Sequence, residues 1–138
     1  MAEDKLLLDT GALVAMLHRG DQDHEACADY FAHFRGVLLT TEPVLTESMF
    51  LLNRLAGGAS SCLEFFIRGG AVLVPLTQQS LIRCNALMAK YADVPMDFAD
   101  ASLVALAQEA RIRNIFTLDH RGFEIFRFAK ESRFIIVP

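Results

Sequence analysis

The chain has 138 residues, 53% of them hydrophobic, with 13 Lys and Arg against 17 Asp and Glu, for a net charge of −4. That is the length of one ordinary domain with a sizeable core, which excludes a disordered chain; the acidic balance excludes a simple basic nucleic-acid coat. The charge is unevenly spread: residues 1–110 carry seven basic and fourteen acidic side chains, residues 111–138 six basic and three acidic.

The opening Ala2-Glu3-Asp4-Lys5, followed by only three leucines, lacks the form of a signal peptide. No apolar run approaches the roughly 18 residues needed to span a membrane. A cytoplasmic protein with no membrane segment is therefore expected. Five continuous apolar runs follow in order: Leu6-Leu7-Leu8, Val37-Leu38-Leu39, Val72-Leu73-Val74, Ile115-Phe116 and Phe134-Ile135-Ile136-Val137. Continuous rather than alternating runs predict strands buried on both faces, as in a parallel sheet. Helix-length segments separate them, at 11–18 and 21–35, 42–56 and 59–68, 77–91 and 97–112, and 119–128. The glycine pairs Gly57-Gly58 and Gly69-Gly70 punctuate these elements. Cys27, Cys62 and Cys84 are odd in number, without metal-ligand spacing, and read as reduced core residues. The alternation predicts a single α/β domain over 1–138, a three-layer α/β/α sandwich around a parallel sheet of about five strands with right-handed crossovers. In such sheets ligands bind beyond the carboxyl ends of the strands.

Acidic residues stand at those places. Asp9 directly follows the first run and Asp119 follows the fourth, in Ile115-Phe116-Thr117-Leu118-Asp119. Glu47 lies about one turn beyond Pro43 in a helix whose neighbours Leu45, Met49, Phe50, Leu51 and Leu52 make it apolar nearly all round. Asp97 and Asp100 open the alanine-rich helix that follows Pro95-Met96, three apart and so on one face. Asp9 or Thr10 suits a helix cap as well as a site, and Asp97 with Asp100 has the spacing of a capping box. Glu47 and Asp100 have no basic residue nearby in sequence, and a buried carboxylate without a partner is costly. Four converging carboxylates repel one another unless a cation holds them, and hard oxygen ligands suit Mg²⁺ or Mn²⁺.

Other chemistries lack their residues. The sequence has no phosphate-binding Gly-x-x-x-x-Gly-Lys loop, no dinucleotide fingerprint and no Gly-x-Ser-x-Gly elbow. The position two beyond Asp9 is Gly11, where an aspartyl phosphatase needs an aspartate. His18, His24, His33 and His120 have no zinc-ligand spacing, and His24 and His33 are expected on a solvated helix face.

Four segments, Leu8-Asp9-Thr10-Gly11-Ala12-Leu13, Pro43-Val44-Leu45-Thr46-Glu47, Phe98-Ala99-Asp100-Ala101-Ser102-Leu103-Val104-Ala105 and Phe116-Thr117-Leu118-Asp119-His120-Arg121-Gly122-Phe123, together make the chain resemble PIN-domain ribonucleases, among them the VapC-type toxins of toxin–antitoxin pairs. The resemblance covers the whole chain. It implies Asp9, Glu47, Asp100 and Asp119 as a catalytic, Mg²⁺- or Mn²⁺-binding quartet, with Thr10 and Thr117 in support and Asp97 as a fifth acid or a cap. It implies cleavage of RNA to leave a 5′-phosphate, a small antitoxin partner and a homodimer. One departure is the spacing from Asp119 to Phe123, one residue longer than the commonest pattern.

Two rival readings are a silent PIN domain that only binds RNA or protein, against which an intact quartet argues, and a nuclease acting on DNA. The apolar surplus predicts self-association. The net-positive tail, Arg121 foremost because it follows Asp119 by two residues, is expected to touch RNA.

Overall fold

Five short apolar strands lie side by side and parallel, in the order Val72–Leu73, Gly36–Thr40, Asp4–Leu8, Asn114–Phe116 and Ile135–Val137. The computed structural model describes residues 4–138; Met1–Glu3, which include the Ala2-Glu3 of the N-terminal reading, lie outside it. The strands are β1 (Asp4–Leu8), β2 (Gly36–Thr40), β3 (Val72–Leu73), β4 (Asn114–Phe116) and β7 (Ile135–Val137). Among the described residues seven helices alternate with them: α1 (Thr10–Leu17), α2 (His24–His33), α3 (Glu42–Leu52), α4 (Gly58–Ile67), α5 (Gln78–Lys90), α6 (Phe98–Ala110) and α7 (His120–Ile125). All five runs expected as strands are strands of this sheet.

Successive side chains of a strand face opposite ways, and a strand covered on both sides needs apolar residues throughout. In β1, Leu6 and Leu8 pack with Leu13, Cys27, Leu38, Leu52, Cys62 and Phe116 in one core. Leu7 packs on the other face with Val104, Leu106, Ile115, Phe123 and Phe126. Helices thus cover both faces, which makes the expected three layers. Cys27, Cys62 and Cys84 are free and buried, and burial raises all three thiols, Cys27 to about 11.

The chain runs from central β1 outward through β2 to β3, then crosses to β4 and β7 on the other side. The order reverses between β1 and β4, the place where open α/β sheets leave a crevice. Two locks hold that end: the Thr40 hydroxyl donates to the Leu8 carbonyl at 2.6 Å, and the Asp9 amide donates to the Phe116 carbonyl at 3.0 Å.

Two expectations are corrected. The helix predicted over 119–128 stops at Ile125, because the Arg127 guanidinium folds back on the carbonyls of Glu124 and Ile125 at 2.8 and 2.7 Å. The chain then forms an antiparallel hairpin of β5 (Arg127–Ala129) and β6 (Ser132–Arg133), with Lys130 at φ 47° in its turn. His24 is half-buried, not on a solvated face: its Nδ1 lies 2.7 Å from the Ala15 carbonyl oxygen and ties α2 to α1. His33 is exposed as expected. Among the described residues no helix is long and apolar enough to cross a membrane.

Candidate functional site

The first acid is set by the end of β1. The buried run stops at Leu8, and Asp9 takes the N-cap position of α1. Its Oδ1 accepts from the Thr10 amide at 2.8 Å and its Oδ2 from the Thr117 hydroxyl at 2.6 Å. Asp9 is only 6% exposed. Burial raises its pKa to about 6 against the pull of those two hydrogen bonds, and the charges of Asp119 and Glu47 push the same way.

The end of β4 supplies the second. Thr117 is fully buried, and its Oγ1, while donating to Asp9, accepts from the Asp119 amide at 2.9 Å. One hydroxyl therefore joins the strand ends that carry the two acids. Asp119 is exposed and caps α7, its Oδ1 accepting from the Gly122 amide at 3.0 Å. Gly122 is buried there, and a Cβ on it would lie 2.5 Å from Asp119 Oδ2.

Asp97 and Asp100 share the start of α6 in a reciprocal capping box. Asp97 Oδ1 accepts from the Asp100 amide at 2.8 Å and Asp100 Oδ2 from the Asp97 amide at 3.2 Å. Both readings of this pair coexist: they cap, and they also lie within electrostatic reach of the other acids. Asp100 is raised to about 8, first by burial, then by the charges of Asp97, Asp9 and Asp119. Glu47, on α3, is raised by burial and by Asp97, with the Thr10 hydroxyl opposing.

The expectation that Glu47 sits on a helix apolar all round is corrected. Of the eleven residues of α3 only Val44, Ser48 and Leu52 are buried, and Phe50 is 79% exposed. Glu47 is accordingly half-buried, at the edge of solvent.

The structure thus gathers all five acids at the carboxyl end of the sheet, around the point where the strand order reverses. Arg121 stands on α7 beside them, exposed, without an ion pair among the described residues. Two others of the basic tail are engaged internally, Arg127 on the end of α7 and Arg113 on the Arg133 carbonyl at 3.0 Å. Sequence reasoning missed the pair that fixes α3 to α6. The Ser102 hydroxyl donates to the Ala99 carbonyl at 2.7 Å and lies 2.7 Å from the Thr41 hydroxyl, both residues fully buried. The available signal was a threonine directly after the second apolar run and a serine two residues beyond Asp100. Gly122 was missed as well, since a glycine's steric role depends on its neighbours.

A cation suits this donor set by its chemistry: the acids are hard oxygen donors, and burial, joined by the charges of neighbouring acids, raises Asp9, Glu47 and Asp100 in its absence. The Thr10 Oγ1 adds a buried oxygen without a hydrogen-bond partner, against Glu47. Among the described residues no three acidic, histidine or cysteine side chains converge into a finished cage, and Asp9, Asp97, Asp100 and Asp119 each accept from a backbone amide. Beside the acids opens a cleft of about 840 Å³, with Glu47 and Asp97 in its wall.

A family model described as PIN domain matches residues 6–129. A curated relative, Ribonuclease VapC26 of Mycobacterium tuberculosis, is 29% identical over 135 residues, which are 96% of this chain and all of that one. The fold is similar to that of Mycobacterium tuberculosis VapC20, described as a sarcin-ricin loop cleaving toxin, with a TM-score of 0.79, 20% identity, and 90% and 98% of the two chains covered. A toxin–antitoxin complex from Klebsiella pneumoniae is similar with a TM-score of 0.66, 17% identity and coverage of 94% and 99%. VapBC2 from Rickettsia felis, bound to a DNA fragment from its promoter, is similar with a TM-score of 0.69, 10% identity and coverage of 97% and 99%.

Proposed function

The chain belongs to the PIN-domain family, and from that premise we propose that it is a divalent-metal-dependent endoribonuclease, the toxin of a toxin–antitoxin pair. The observation that carries the reading is the gathering of Asp9, Glu47, Asp97, Asp100 and Asp119 at one end of the sheet, with Asp9, Glu47 and Asp100 raised in pKa by burial and by one another. The relative named as a ribonuclease, and the toxins and toxin–antitoxin complexes of similar fold, support it.

Asp9, Glu47, Asp100 and Asp119 would hold Mg²⁺ or Mn²⁺. Such an ion, when bound, would supply charge to activate water and to neutralise the phosphate oxygens and the leaving oxygen. The residues of the chain do the rest. Thr10 and Thr117 hold the Asp9 carboxylate so that its oxygens do not swing away from the crevice. The Gly122 amide does the same for Asp119. Glu47, at the edge of solvent, orders the attacking water and takes its proton. The water oxygen bonds to phosphorus as the bond from phosphorus to the 3′ oxygen breaks, and that oxygen takes a proton from solvent, giving a 5′-phosphate and a 3′-hydroxyl. Asp97 holds the end of α6 and so the direction of Asp100. Arg121 meets the RNA backbone, offsetting the net negative charge of the protein.

Exposed apolar side chains, among them Ile67 at 74% and Ile82 at 63%, support a homodimer and a small antitoxin as partners. The deciding experiment incubates end-labelled single-stranded RNA, with DNA as competitor, in Mg²⁺, in Mn²⁺ and in excess EDTA. Cleavage that needs metal, prefers RNA and disappears in Asp9→Asn is the expected result. Cleavage that persists in EDTA or in that variant overturns the reading.

A further inference from the structure

Apart from Glu47 and Asp97, the wall of the cleft of about 840 Å³ beside the acids takes no part in the chemistry above. Pro43, Thr46, Glu47 and Phe50 follow the i, i+3, i+4, i+7 spacing of one face of α3, and all four line it. Phe98, Ala99 and Asp97 face it from the start of α6, and Leu81 from α5. Its aromatic and aliphatic side chains are open to solvent: Phe50 is 79%, Leu81 48% and Phe98 42% exposed. No lysine or arginine lines it, so it offers nothing to a phosphate. Its charged groups are carboxylates only, Glu42, Glu47 and Asp97.

We propose that this cleft is a nucleobase subsite, which stacks the base next to the cleaved phosphodiester against Phe50 and Phe98 and reads its edge with Glu42. The inference rests on the ribonuclease reading, because Glu47 and Asp97 belong both to the cleft and to the acid cluster. A strand whose phosphate reaches those acids must lead a neighbouring nucleoside past this wall. The volume falls in the range of small-molecule pockets, about 300–1,000 Å³. A neutral, flat base fits an apolar, cation-free wall, whereas the phosphate backbone is repelled by it. Single-stranded RNA is commonly bound by stacking unpaired bases on aromatic side chains. A carboxylate only accepts hydrogen bonds, so Glu42 favours a base that presents N–H donors. Guanine, with N1–H beside its 2-amino group, offers two to one carboxylate.

The test uses the full chain with Mn²⁺ and short RNAs that carry guanine, inosine or an abasic residue at each position flanking the cleaved bond. Stacking of one base is worth about five- to a hundredfold. The wild type loses that much in kcat/KM when one flanking base is removed, and part of it when guanine becomes inosine. Phe50→Ala loses a similar factor on the guanine RNA. On the abasic RNA the substitution adds no further loss, since base and ring act as a pair. Glu42→Gln erases the difference between guanine and inosine. Equal losses for Phe50→Ala on both RNAs, or none on either, overturn the subsite. So does conversion of a dimer to a monomer by Phe50→Ala with base dependence intact, which makes the wall an interface between protein chains. A second arm separates this inference from the ribonuclease reading: quenching of a 2-aminopurine-labelled RNA by the metal-free protein. Quenching lost in Phe50→Ala, with no cleavage by the wild type, keeps the subsite and removes the nuclease. No quenching and no base dependence removes the subsite alone.

Discussion

Helices α3 and α6 each bring acids to the same crevice, and they are built in opposite ways. In α6, Ala99 and the seven residues Ala101–Ala107 are all buried, and the N-terminus is closed by the Asp97–Asp100 box. In α3, three of eleven residues are buried and no side chain caps the start. Where α6 is clamped between sheet and neighbours, α3 is pinned at one end by Thr41 on Ser102 and leaves Phe50 in water. Asp100 is therefore held in place by the core, whereas Glu47 is carried on a face still open to whatever binds. One helix fixes its acid in the core and the other leaves its acid at the edge of solvent.

The contrast breaks most sharply at Asp100. Asp100→Asn should reduce RNA cleavage to background while leaving the metal-free protein as stable as the wild type or more so, because one repelling charge is gone. The stabilisation by Mn²⁺, about 2.7 kcal/mol at a hundredfold excess over Kd, should disappear with it. Melting curves with and without Mn²⁺, beside a cleavage assay, read both effects. A variant that still cleaves RNA would move the metal ligand elsewhere.

Truncation in the two helices should differ next. Leu103 on α6 is fully buried, and Leu103→Ala should lower stability by about 2–5 kcal/mol. Phe50→Ala on α3 should stay within about 0.5 kcal/mol of wild type. Denaturant titrations of both decide; similar values would erase the distinction between clamped and open helix. Asp97→Ala should fall between them, losing about 1 kcal/mol of helix capping with measurable cleavage retained.

Acidity sharpens the comparison from another side. Asp9 and Asp100 are raised on folding from 3.8 to about 6 and about 8. The folded chain then binds more protons than the unfolded one, so these groups lose stability for the metal-free protein as pH rises from about 4 to about 8. Metal-free melts at pH 5 and pH 8 should show higher stability at pH 5, and Asp100→Asn should narrow the gap. An unchanged gap in that variant would remove Asp100 as its source. The smallest effect belongs to Arg121: Arg121→Gln should reduce the salt slope of RNA binding by about one unit for a lost phosphate contact. An unchanged slope places the RNA elsewhere.

The same two helices show what the sequence could express. Short continuous apolar runs such as Leu6-Leu7-Leu8, spaced by helix-length segments, read as strands covered twice, so the sheet, and with it Asp9 at the end of β1, was legible. The box at Asp97 and Asp100 was legible from spacing alone, because capping is local. Burial around α3 was not: Leu45, Met49, Phe50 and Leu51 look like core in any window, and only the packed fold shows that nothing described covers Phe50. The hairpin at Arg127–Arg133 escaped for the opposite reason. Its strands are two and three residues long, rich in charge, and begin where Arg127 ends α7 through contacts that no periodicity records.

Gly122 shows how two residue types can be one constraint. It stands in the first turn of α7 between Asp119 and Phe123, which is fully buried. Any side chain at 122 would meet the tip of the Asp119 side chain 2.5 Å away. That tip is the movable partner, so a larger residue would leave the fold standing and turn the carboxylate aside. In a comparison of related chains, glycine at this position should therefore travel with an aspartate three residues before it and relax where that acid is lost. A substitution far below the notice of any stability screen would be inherited with the acid it spares.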